Sequence, residues 1–138
     1  MTVIRALGPG DDQLVIAASH LFDHPARPDA TADFLGDGRH HLLVAYEGTR
    51  PVGFVSGVEV THPDKGTEMF LYELAVEEPF RRRGIGRDLV EHLAAVGRST
   101  GCYGMWVVTD HDNEAARATY EGTGAEPETS QVVEVWSF

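Results

Sequence analysis

The spacing of apolar residues along the chain predicts short strands and helices in alternation. A strand at 2–7 is followed by apolar residues every three or four positions from 14 to 22, the pattern of one helical face. Two prolines end that helix, and a second short helix is predicted at 29–35. Strands are then predicted at 41–46 and 52–60, joined by a linker with the composition of a hairpin. The first half of the chain therefore predicts antiparallel strands accompanied by two helices.

The second half of the chain alternates strands with longer helices. The pattern predicts a strand at 68–76, a helix at 86–97, a buried strand at 103–109 and a helix at 113–122. The last residues, 131–138, predict a further β-rich segment. Because a strand–helix–strand unit almost always makes a right-handed crossover, the strands at 68–76 and 103–109 are predicted to pair in parallel.

Together these elements predict an α/β fold with a mixed, α+β type of sheet. Antiparallel N-terminal strands and a central parallel pair would form one sheet flanked by helices. A chain of 138 residues fits one domain, so residues 1–138 are assigned to a single unit. The ligand site of such a sheet is expected at the carboxyl ends of the parallel strands.

The charge balance narrows the choice of partners. The chain has 22 acidic and 11 basic residues and a formal net charge of -11, which disfavours nucleic acids and anionic membranes and favours a cationic substrate. No apolar stretch has membrane-spanning length and the amino terminus does not resemble a secretion signal, so a cytoplasmic location is expected. The single cysteine, Cys102, excludes an internal disulfide and fits a reducing compartment.

One segment reverses this acidic character, because residues 81–87 contain four of the 11 basic side chains. It lies between a predicted strand and a predicted helix, where backbone N–H groups have no partner within the helix and the helix dipole is positive. Its two glycines allow the backbone to turn sharply and approach an anion. We interpret it as a pyrophosphate cradle; a basic helix start on the surface, or a small nucleic-acid patch, is the alternative. The residues of this cradle are Arg81, Arg82, Arg83, Gly84, Ile85, Gly86 and Arg87.

The spacing of the cradle resembles a known motif. Arg81-x-x-Gly84-x-Gly86 is similar to motif A of the GCN5-related N-acetyltransferases (GNAT), which bind the pyrophosphate of coenzyme A. It lacks the Lys-Ser/Thr pair of a P-loop and the third glycine of the dinucleotide fingerprint. The resemblance implies acetyl-coenzyme A (acetyl-CoA) as the cofactor, and it implies that the N–H of Val76 donates to the thioester carbonyl. The residues that it places along the pantetheine arm are Leu74, Ala75 and Val76.

A second motif follows downstream, with one helix and one strand between the two. Asn113 opens a helix, Tyr120 follows seven residues later and a glycine four beyond, which resembles motif B of the same superfamily. The likeness covers roughly residues 40–138. Asn113 can cap the helix, and Tyr120 lies about two turns further on the same face. The resemblance implies that Asn113 also contacts coenzyme A and that the Tyr120 phenol protonates its departing thiolate; a tyrosine packed in the core is the alternative.

A closer resemblance is to the aminoglycoside 3-N-acetyltransferases of type I. It rests on the run at 70–76 followed by 81–86, and on Asp110 ahead of Asn113, where that family places an acid after its fifth strand. The upstream segment from residues 22–25 through 32–35 is also similar. This resemblance implies transfer of the acetyl group, by direct attack, to the 3-amine of an aminoglycoside.

Two carboxylates are candidates for handling the amine. Glu73 interrupts an apolar strand, where a charge is costly unless it is paired or hydrated, and the resemblance implies that an ammonium ion satisfies it. Asp110 ends the neighbouring strand and could hold or deprotonate the same amine. The alternative is an outward-facing Glu73 and an Asp110 that only forms a turn. The chain also departs from the 3-N-acetyltransferases at two positions. Those enzymes have aspartate where this chain has Glu73, and several of them have another acid where this chain has Asn113.

Other functions stay open at this point. The same chemistry would suit a protein amino terminus, a lysine or another metabolite amine, and a non-catalytic module that binds acetyl-CoA is a further alternative. The seven histidines do not predict a metal site: His20 and His24 lie four apart, but Pro25 ends the helix there and no third ligand is evident. The segment at 131–138 could pair with a second subunit, so a homodimer is a candidate assembly.

Overall fold

Five strands form one sheet in the order β1-β2-β3-β4-β5 in the computed structural model, which describes residues Met1–Phe138. The strands are β1 (Thr2–Leu7), β2 (His40–Glu47), β3 (Arg50–His62), β4 (Gly66–Val76) and β5 (Met105–Val107). The helices are α1 (Asp12–Ala17), α2 (Pro28–Gly36), α3 (Ile85–Ser99) and α4 (Glu114–Gly122), with short 3₁₀ turns at Ser19–Leu21 and Glu78–Phe80. None of the helices combines the length and the apolarity needed to cross a bilayer.

The strand pairing confirms the predicted mixed sheet. Strands β1 to β4 pair antiparallel, and β4 pairs in parallel with β5 from Met69–Met105 to Leu71–Val107. The strand predicted at 103–109 is shorter in the structure, because β5 leaves β4 after Val107 whereas β4 continues. The sheet therefore opens between these two strands at their carboxyl ends.

Each face of the sheet has its own apolar core. Helix α3 packs on one face, where Leu89 and Leu93 are fully buried against the central strands. Helices α1 and α2 pack on the other face around Phe54. Gly57 lets α3 approach β3 closely, since a Cβ at this position would lie 2.9 Å from Cδ2 of Leu93. The two cores fix the ends of β4 and β5 relative to α3, and this positions the site described below.

A β-bulge in β4 changes which of its side chains face α3. Glu73 and Leu71 pair with adjacent residues of β3, so Tyr72 is an additional residue on β4. Strict alternation would put Glu73 on the face of Leu71, whose side chain is buried in the α3 core. After the bulge, however, Ala75 packs against the α1–α2 core. Glu73, two residues before Ala75, therefore faces the same way, away from α3.

Two of the predicted elements differ in the structure. The prediction of a β-rich segment at 131–138 is wrong, because no strand follows α4. The large apolar side chains of this segment are exposed, from 66% for Val133 to 119% for Phe138. A strand needs a neighbouring strand for its backbone hydrogen bonds, and this segment has none. The helix predicted at 14–22 is α-helical only as far as Ala17, because the chain then tightens into a 3₁₀ turn.

Candidate active site

A gap opens between β4 and β5 at the carboxyl ends of the parallel pair. The strands pair only as far as Leu71 and Val107, and β4 then runs on to Val76 without a neighbour on this side. The N–H of Glu77 donates to the carbonyl of Val52 in β3 over 2.8 Å. Because successive residues of a strand direct their N–H groups to opposite sides, the N–H of Val76 faces the gap. This orientation suits donation to a thioester carbonyl, which stays a prediction.

The cradle follows β4 and presents its backbone N–H groups. No backbone N–H from Arg82 to Arg87 donates a hydrogen bond within the protein, and Gly84, the N-cap of α3, has no side chain that could accept one. Arg82 and Gly84 both adopt left-handed backbone angles, with φ of 63° and 82°. Such conformations direct consecutive N–H groups into one concave anion site, and the dipole of α3 adds positive potential. The arrangement is suited to a phosphate group.

The four arginines of the cradle are not equivalent. The Nε of Arg81 donates to the carbonyl of Val76 over 2.8 Å and so ties the cradle to the end of β4. The guanidinium of Arg83 lies over the ring of Phe80, 5.2 Å from its centroid. Two arginines remain: Arg87 pairs with the residue one turn further along α3 at 3.0 Å, and Arg82 has no side-chain partner in the structure. Arg82 is therefore the guanidinium most available to an incoming anion.

The second glycine of the cradle marks the point where three elements meet. A Cβ at Gly86 would lie 3.7 Å from Cγ2 of Thr119 in α4, 3.8 Å from Cγ2 of Val76 and 4.0 Å from Cδ2 of Leu74 in β4. The side chain of Ile85 is buried in the α3 core, so this residue offers the cradle only its backbone. The fold thus brings the end of β4, the first turn of α3 and the middle of α4 together.

The two residues of the second motif have different environments. The Oδ1 of Asn113 accepts a hydrogen bond from the N–H of Ala116 at 3.1 Å, so Asn113 caps α4 as predicted. Tyr120 is 9% exposed and packs in the α3 core. Burial raises the pKa of its phenol, which therefore stays protonated through neutral pH. No protein group hydrogen-bonds to this hydroxyl, and it is not sealed from solvent. Both alternatives for Tyr120, a packed residue and a proton donor, are compatible with this position.

Glu73 lies close enough to Asp23 for the two charges to interact. The side chain of Glu73 is open to solvent on one side, but partial burial and then the negative charge of Asp23 raise the pKa of its carboxyl. A carboxylate with a raised pKa takes up a proton from an ammonium ion more readily. Asp23 is absent from the residues predicted from sequence. It lies in the link between α1 and α2, inside the segment at 22–25 that contributes to the resemblance, but no local pattern marks this acid as a neighbour of Glu73.

Asp110 is exposed and follows β5. Its backbone carbonyl accepts the N–H of Asn113 at 3.0 Å, an interaction that turns the chain into α4. The charges that shift the pKa of Glu73 do not include that of Asp110. The idea that Glu73 and Asp110 act on one amine therefore stays a prediction, and Asp23 is the carboxylate that the fold brings toward Glu73.

No group of three or more His, Cys, Asp or Glu side chains is arranged to hold a metal ion. The Nε2 of His20 lies 3.0 Å from the carbonyl of Pro51 and 3.0 Å from the carboxylate of Glu77. These contacts attach the turn after α1 to the start of β3 and the end of β4, which is a structural role.

The chain matches a known protein family over most of its length. Residues 13–125 match the Acetyltransferase (GNAT) family. The [ribosomal protein bS18]-alanine N-acetyltransferase of Salmonella typhimurium is 40% identical over 57 residues, which cover 41% of this chain and 38% of that protein. The mycothiol acetyltransferase of Salinispora tropica is 35% identical over 79 residues, covering 57% of this chain and 24% of that protein. The matched segments span less than half the length of either relative.

Solved structures match nearly the whole chain. An aminoglycoside acetyltransferase from an uncultured soil metagenomic sample has a TM-score of 0.85 and 25% identity, and the match covers 99% of both chains. A second one from soil, in complex with sisomicin, has a TM-score of 0.88 and 20% identity over 99% of this chain and 95% of that one. Aminoglycoside N-acetyltransferase AAC(6')-Iy, in complex with CoA, has a TM-score of 0.79 and 22% identity with the same coverage. The last two likenesses establish the fold.

Proposed function

Because the chain belongs to the Acetyltransferase (GNAT) family, we propose that it is an N-acetyltransferase that uses acetyl-CoA to acetylate an amine of a cationic small molecule, namely an aminoglycoside. The observation that carries the proposal is the position of Glu73. The bulge in β4 turns this carboxylate away from the α3 core and toward Asp23. A partly shielded carboxylate with a raised pKa is suited to binding and deprotonating an ammonium ion.

The cradle suits the diphosphate of acetyl-CoA. Its unpaired N–H groups are donors for phosphate oxygens, and the unpartnered guanidinium of Arg82 adds charge-assisted hydrogen bonds. When bound, acetyl-CoA supplies an activated acetyl thioester. Leu74, Ala75 and Val76 form the stretch of β4 beside the gap and would line the pantetheine arm. The N–H of Val76 would hydrogen-bond to the carbonyl oxygen and stabilise the negative charge that develops there.

Two residues would carry the proton transfers. Glu73 takes a proton from the ammonium group, which leaves a neutral nitrogen able to attack directly. Tyr120 keeps its proton at neutral pH because burial raises its pKa, and it would donate that proton to the sulfur as the C–S bond of the thioester breaks. The second proton that the acetylated nitrogen loses would then restore the phenol. Asn113 caps α4 and so holds the helix that carries Tyr120. Asp110 would help to hold the amine at the end of β5.

The charge of the protein favours a substrate with several ammonium groups. The net charge of -11 attracts polycations, and Glu73 and Asp23 concentrate negative charge on the side of β4 away from α3. Aminoglycosides are polyamines of this kind. We propose the 3-amine as the acetylated position, on the strength of the resemblance to the 3-N-acetyltransferases of type I.

A peptide amino terminus is the second candidate substrate. The observation in its favour is the 40% identity over 57 residues with an enzyme named for acetylating an alanine of ribosomal protein bS18. An acidic surface would also attract a basic peptide. The aminoglycoside is preferred because the likeness to a soil aminoglycoside acetyltransferase extends over 99% of the chain.

Thiol release from acetyl-CoA distinguishes these candidates. The panel comprises 2-deoxystreptamine aminoglycosides, linear polyamines, a peptide that begins with alanine and a lysine-rich peptide. We expect a kcat/KM at least about tenfold higher with the aminoglycosides than with any peptide. The NMR spectrum of the product then identifies the acetylated nitrogen.

Each other outcome points to a different function. Fastest turnover of the alanine peptide would establish the second candidate. Saturable binding of acetyl-CoA without thiol release from any amine would identify a non-catalytic binding module. Acetylation of an aminoglycoside at another nitrogen would retain the enzyme class and exclude the 3-amine.

A further inference from the structure

Three aromatic side chains form an exposed patch beside the proposed acceptor carboxylates. The ring of Trp106 on β5 stacks on that of Phe70 on β4 with 4.2 Å between centroids, and Tyr72 meets Phe70 edge to face at 5.9 Å. Tyr72 is 64% exposed and Trp106 is 44% exposed, so a large part of both side chains contacts solvent. A contiguous exposed patch of this kind marks a binding surface more often than a single exposed ring does. We call Phe70, Tyr72 and Trp106 the aromatic surface.

The aromatic surface lies on the face of the sheet that is turned away from α3. The neighbours of Trp106 in β5, Met105 and Val107, pack against the α3 core, so Trp106 points the other way. Phe70 pairs with Trp106 and precedes Leu71, which is buried in the α3 core. Helices α1 and α2 pack on this second face, but the strand residues buried in their core come from β1, β2 and β3. Trp106, on the edge strand, is therefore left uncovered.

Negative charge adjoins the aromatic surface on the same face. Glu73 faces away from α3 after the bulge in β4, and its carboxyl interacts with the charge of Asp23. Because a strand rises about 3.3 Å per residue, Phe70 lies about 10 Å before Glu73 along β4. Beyond the pair of Phe70 and Trp106, the two strands pair once more before the gap opens. A substrate whose amine reaches Glu73 beside the gap would therefore extend its next ring over the aromatic surface.

Aromatic rings next to carboxylates favour one kind of ligand. The face of an aromatic ring packs against C–H groups and attracts cations, but it offers no hydrogen bonds to hydroxyl groups. A saturated ring with polar substituents around its edge presents C–H groups on its two faces. Such a ring can lie flat on Trp106 while ammonium groups at its edge reach the carboxylates. A linear polyamine has no rigid face of this kind and loses more conformational freedom when it is ordered.

We propose that the aromatic surface binds the sugar ring next to the ring that is acetylated, and that it makes the site specific for cyclic polyamines of two or more rings. This inference rests on the proposed function, in which the acetylated amine belongs to the 2-deoxystreptamine ring and lies at Glu73. Trp106 and Phe70 then contact the second ring, and Tyr72 borders it. These three residues determine specificity and are not catalytic, because the ring that they contact does not react.

Shortening the substrate and the side chain together tests the inference. Trp106→Ala should raise the KM for a two-ring aminoglycoside about tenfold and leave kcat nearly unchanged, because the contact is lost equally from the bound substrate and the transition state. The KM for 2-deoxystreptamine, which has no second ring, should change less than about twofold. Trp106→Phe should restore most of the affinity. The matched control is Trp136→Ala, which removes the only other tryptophan, itself 76% exposed, and an unchanged affinity for acetyl-CoA confirms that each variant is folded.

The fluorescence of Trp106 separates a failure of this inference from a failure of the proposed function. In Trp136→Phe the remaining tryptophan is Trp106, and a two-ring aminoglycoside should change its emission saturably, whether or not thiol is released. A saturable change without acetylation would reject the proposed function and support binding of a cyclic polyamine on the aromatic surface. Acetylation with wild-type KM in Trp106→Ala and no change in emission would overturn the inference and retain the function.

Three further outcomes would also overturn the inference. Equal losses with 2-deoxystreptamine and the two-ring compound would show that Trp106 does not contact the second ring. A larger loss with the peptide that begins with alanine would assign the surface to a peptide substrate. The absence of both acetylation and a change in emission would reject the inference together with the proposed function.

Discussion

The cofactor side and the acceptor side of the proposed site are assembled in different ways. The cradle is one continuous segment, residues 81–87, and its chemistry resides in backbone N–H groups between β4 and α3. The proposed acceptor side would combine Glu73, Asp23 and Asp110 from three separate segments, and a bulge and a loop bring the first two toward each other. Local sequence therefore encodes the proposed anion site, whereas the proposed acceptor site depends on tertiary structure. Substitutions on the two sides should impair different steps.

Glu73→Gln should have the largest effect on catalysis. This effect should be limited to turnover of the amine and should leave cofactor binding intact. Loss of a general base lowers kcat by about 100-fold or more, while the dissociation constant for acetyl-CoA stays unchanged. Steady-state kinetics with an aminoglycoside and calorimetry with acetyl-CoA measure the two quantities. Glu68→Gln, on the same strand before the bulge, is the matched control and should be near wild type.

Asp110→Asn extends the same test. If Asp110 holds the amine, turnover falls while acetyl-CoA binding is preserved, as for Glu73→Gln. Wild-type kinetics in both variants would show that neither carboxylate takes part in the mechanism. The proposed acceptor side would then have no basis.

Gly84→Ala should have the next largest effect, now on the cofactor side. Gly84 has a φ of 82°, a conformation that costs a residue with a Cβ about 1–2 kcal/mol. The start of α3 would shift to relieve this strain, so we expect acetyl-CoA binding to weaken about tenfold, with a lower Tm. Gly38→Ala is the control, because Gly38 has no left-handed φ and no other atom lies within 4 Å of the place that its methyl group would take. Equal behaviour of the two variants would mean that the backbone of the cradle does not hold the cofactor.

Arg82→Gln tests whether the arginines of the cradle differ. Arg82 has no side-chain partner, whereas Arg87 already pairs with Glu91 at 3.0 Å. An exposed ion pair contributes a few tenths to about 1 kcal/mol, so Arg82→Gln should weaken acetyl-CoA binding about threefold, and more at low salt. Calorimetry at two ionic strengths measures this, with Arg87→Gln as the comparison. A larger loss of acetyl-CoA affinity in Arg87→Gln would show that Arg87, and not Arg82, is the arginine that binds the cofactor more strongly.

The same distinction explains what the sequence predicted correctly. The mixed sheet and the parallel β4–β5 pair follow from hydrophobic periodicity and from the handedness of crossovers, which are local or general constraints. The turn from strand to helix at 81–87 was predictable because its glycines and arginines are contiguous, whereas its role as a pyrophosphate cradle stays a prediction. The N-cap function of Asn113 was predictable because capping is a local interaction of side chain and backbone.

The features that escaped prediction all depend on partners distant in the chain. The additional residue at Tyr72 is visible only in the register between β3 and β4, and without it alternation places Glu73 on the wrong face. Asp23 gains its importance from proximity to Glu73 alone. Residues 131–138 have the composition of a strand, but composition does not supply the neighbouring strand that they would need.

Asp23→Asn should have the smallest effect and is the most direct test of the acceptor side. The charge of Asp23 helps to raise the pKa of Glu73, because a second negative charge nearby disfavours the ionised form. Removing that charge lowers the pKa of Glu73, so a larger fraction of Glu73 is ionised in mildly acidic solution. The acid limb of kcat/KM should therefore move to lower pH, while acetyl-CoA affinity is unchanged. Asp33→Asn in α2 is the control, and comparison with the same substrate cancels the titration of the amine itself. An acid limb that stays in place, or that moves to higher pH, would show that Asp23 does not act on Glu73 and that the acceptor side is assembled from other residues.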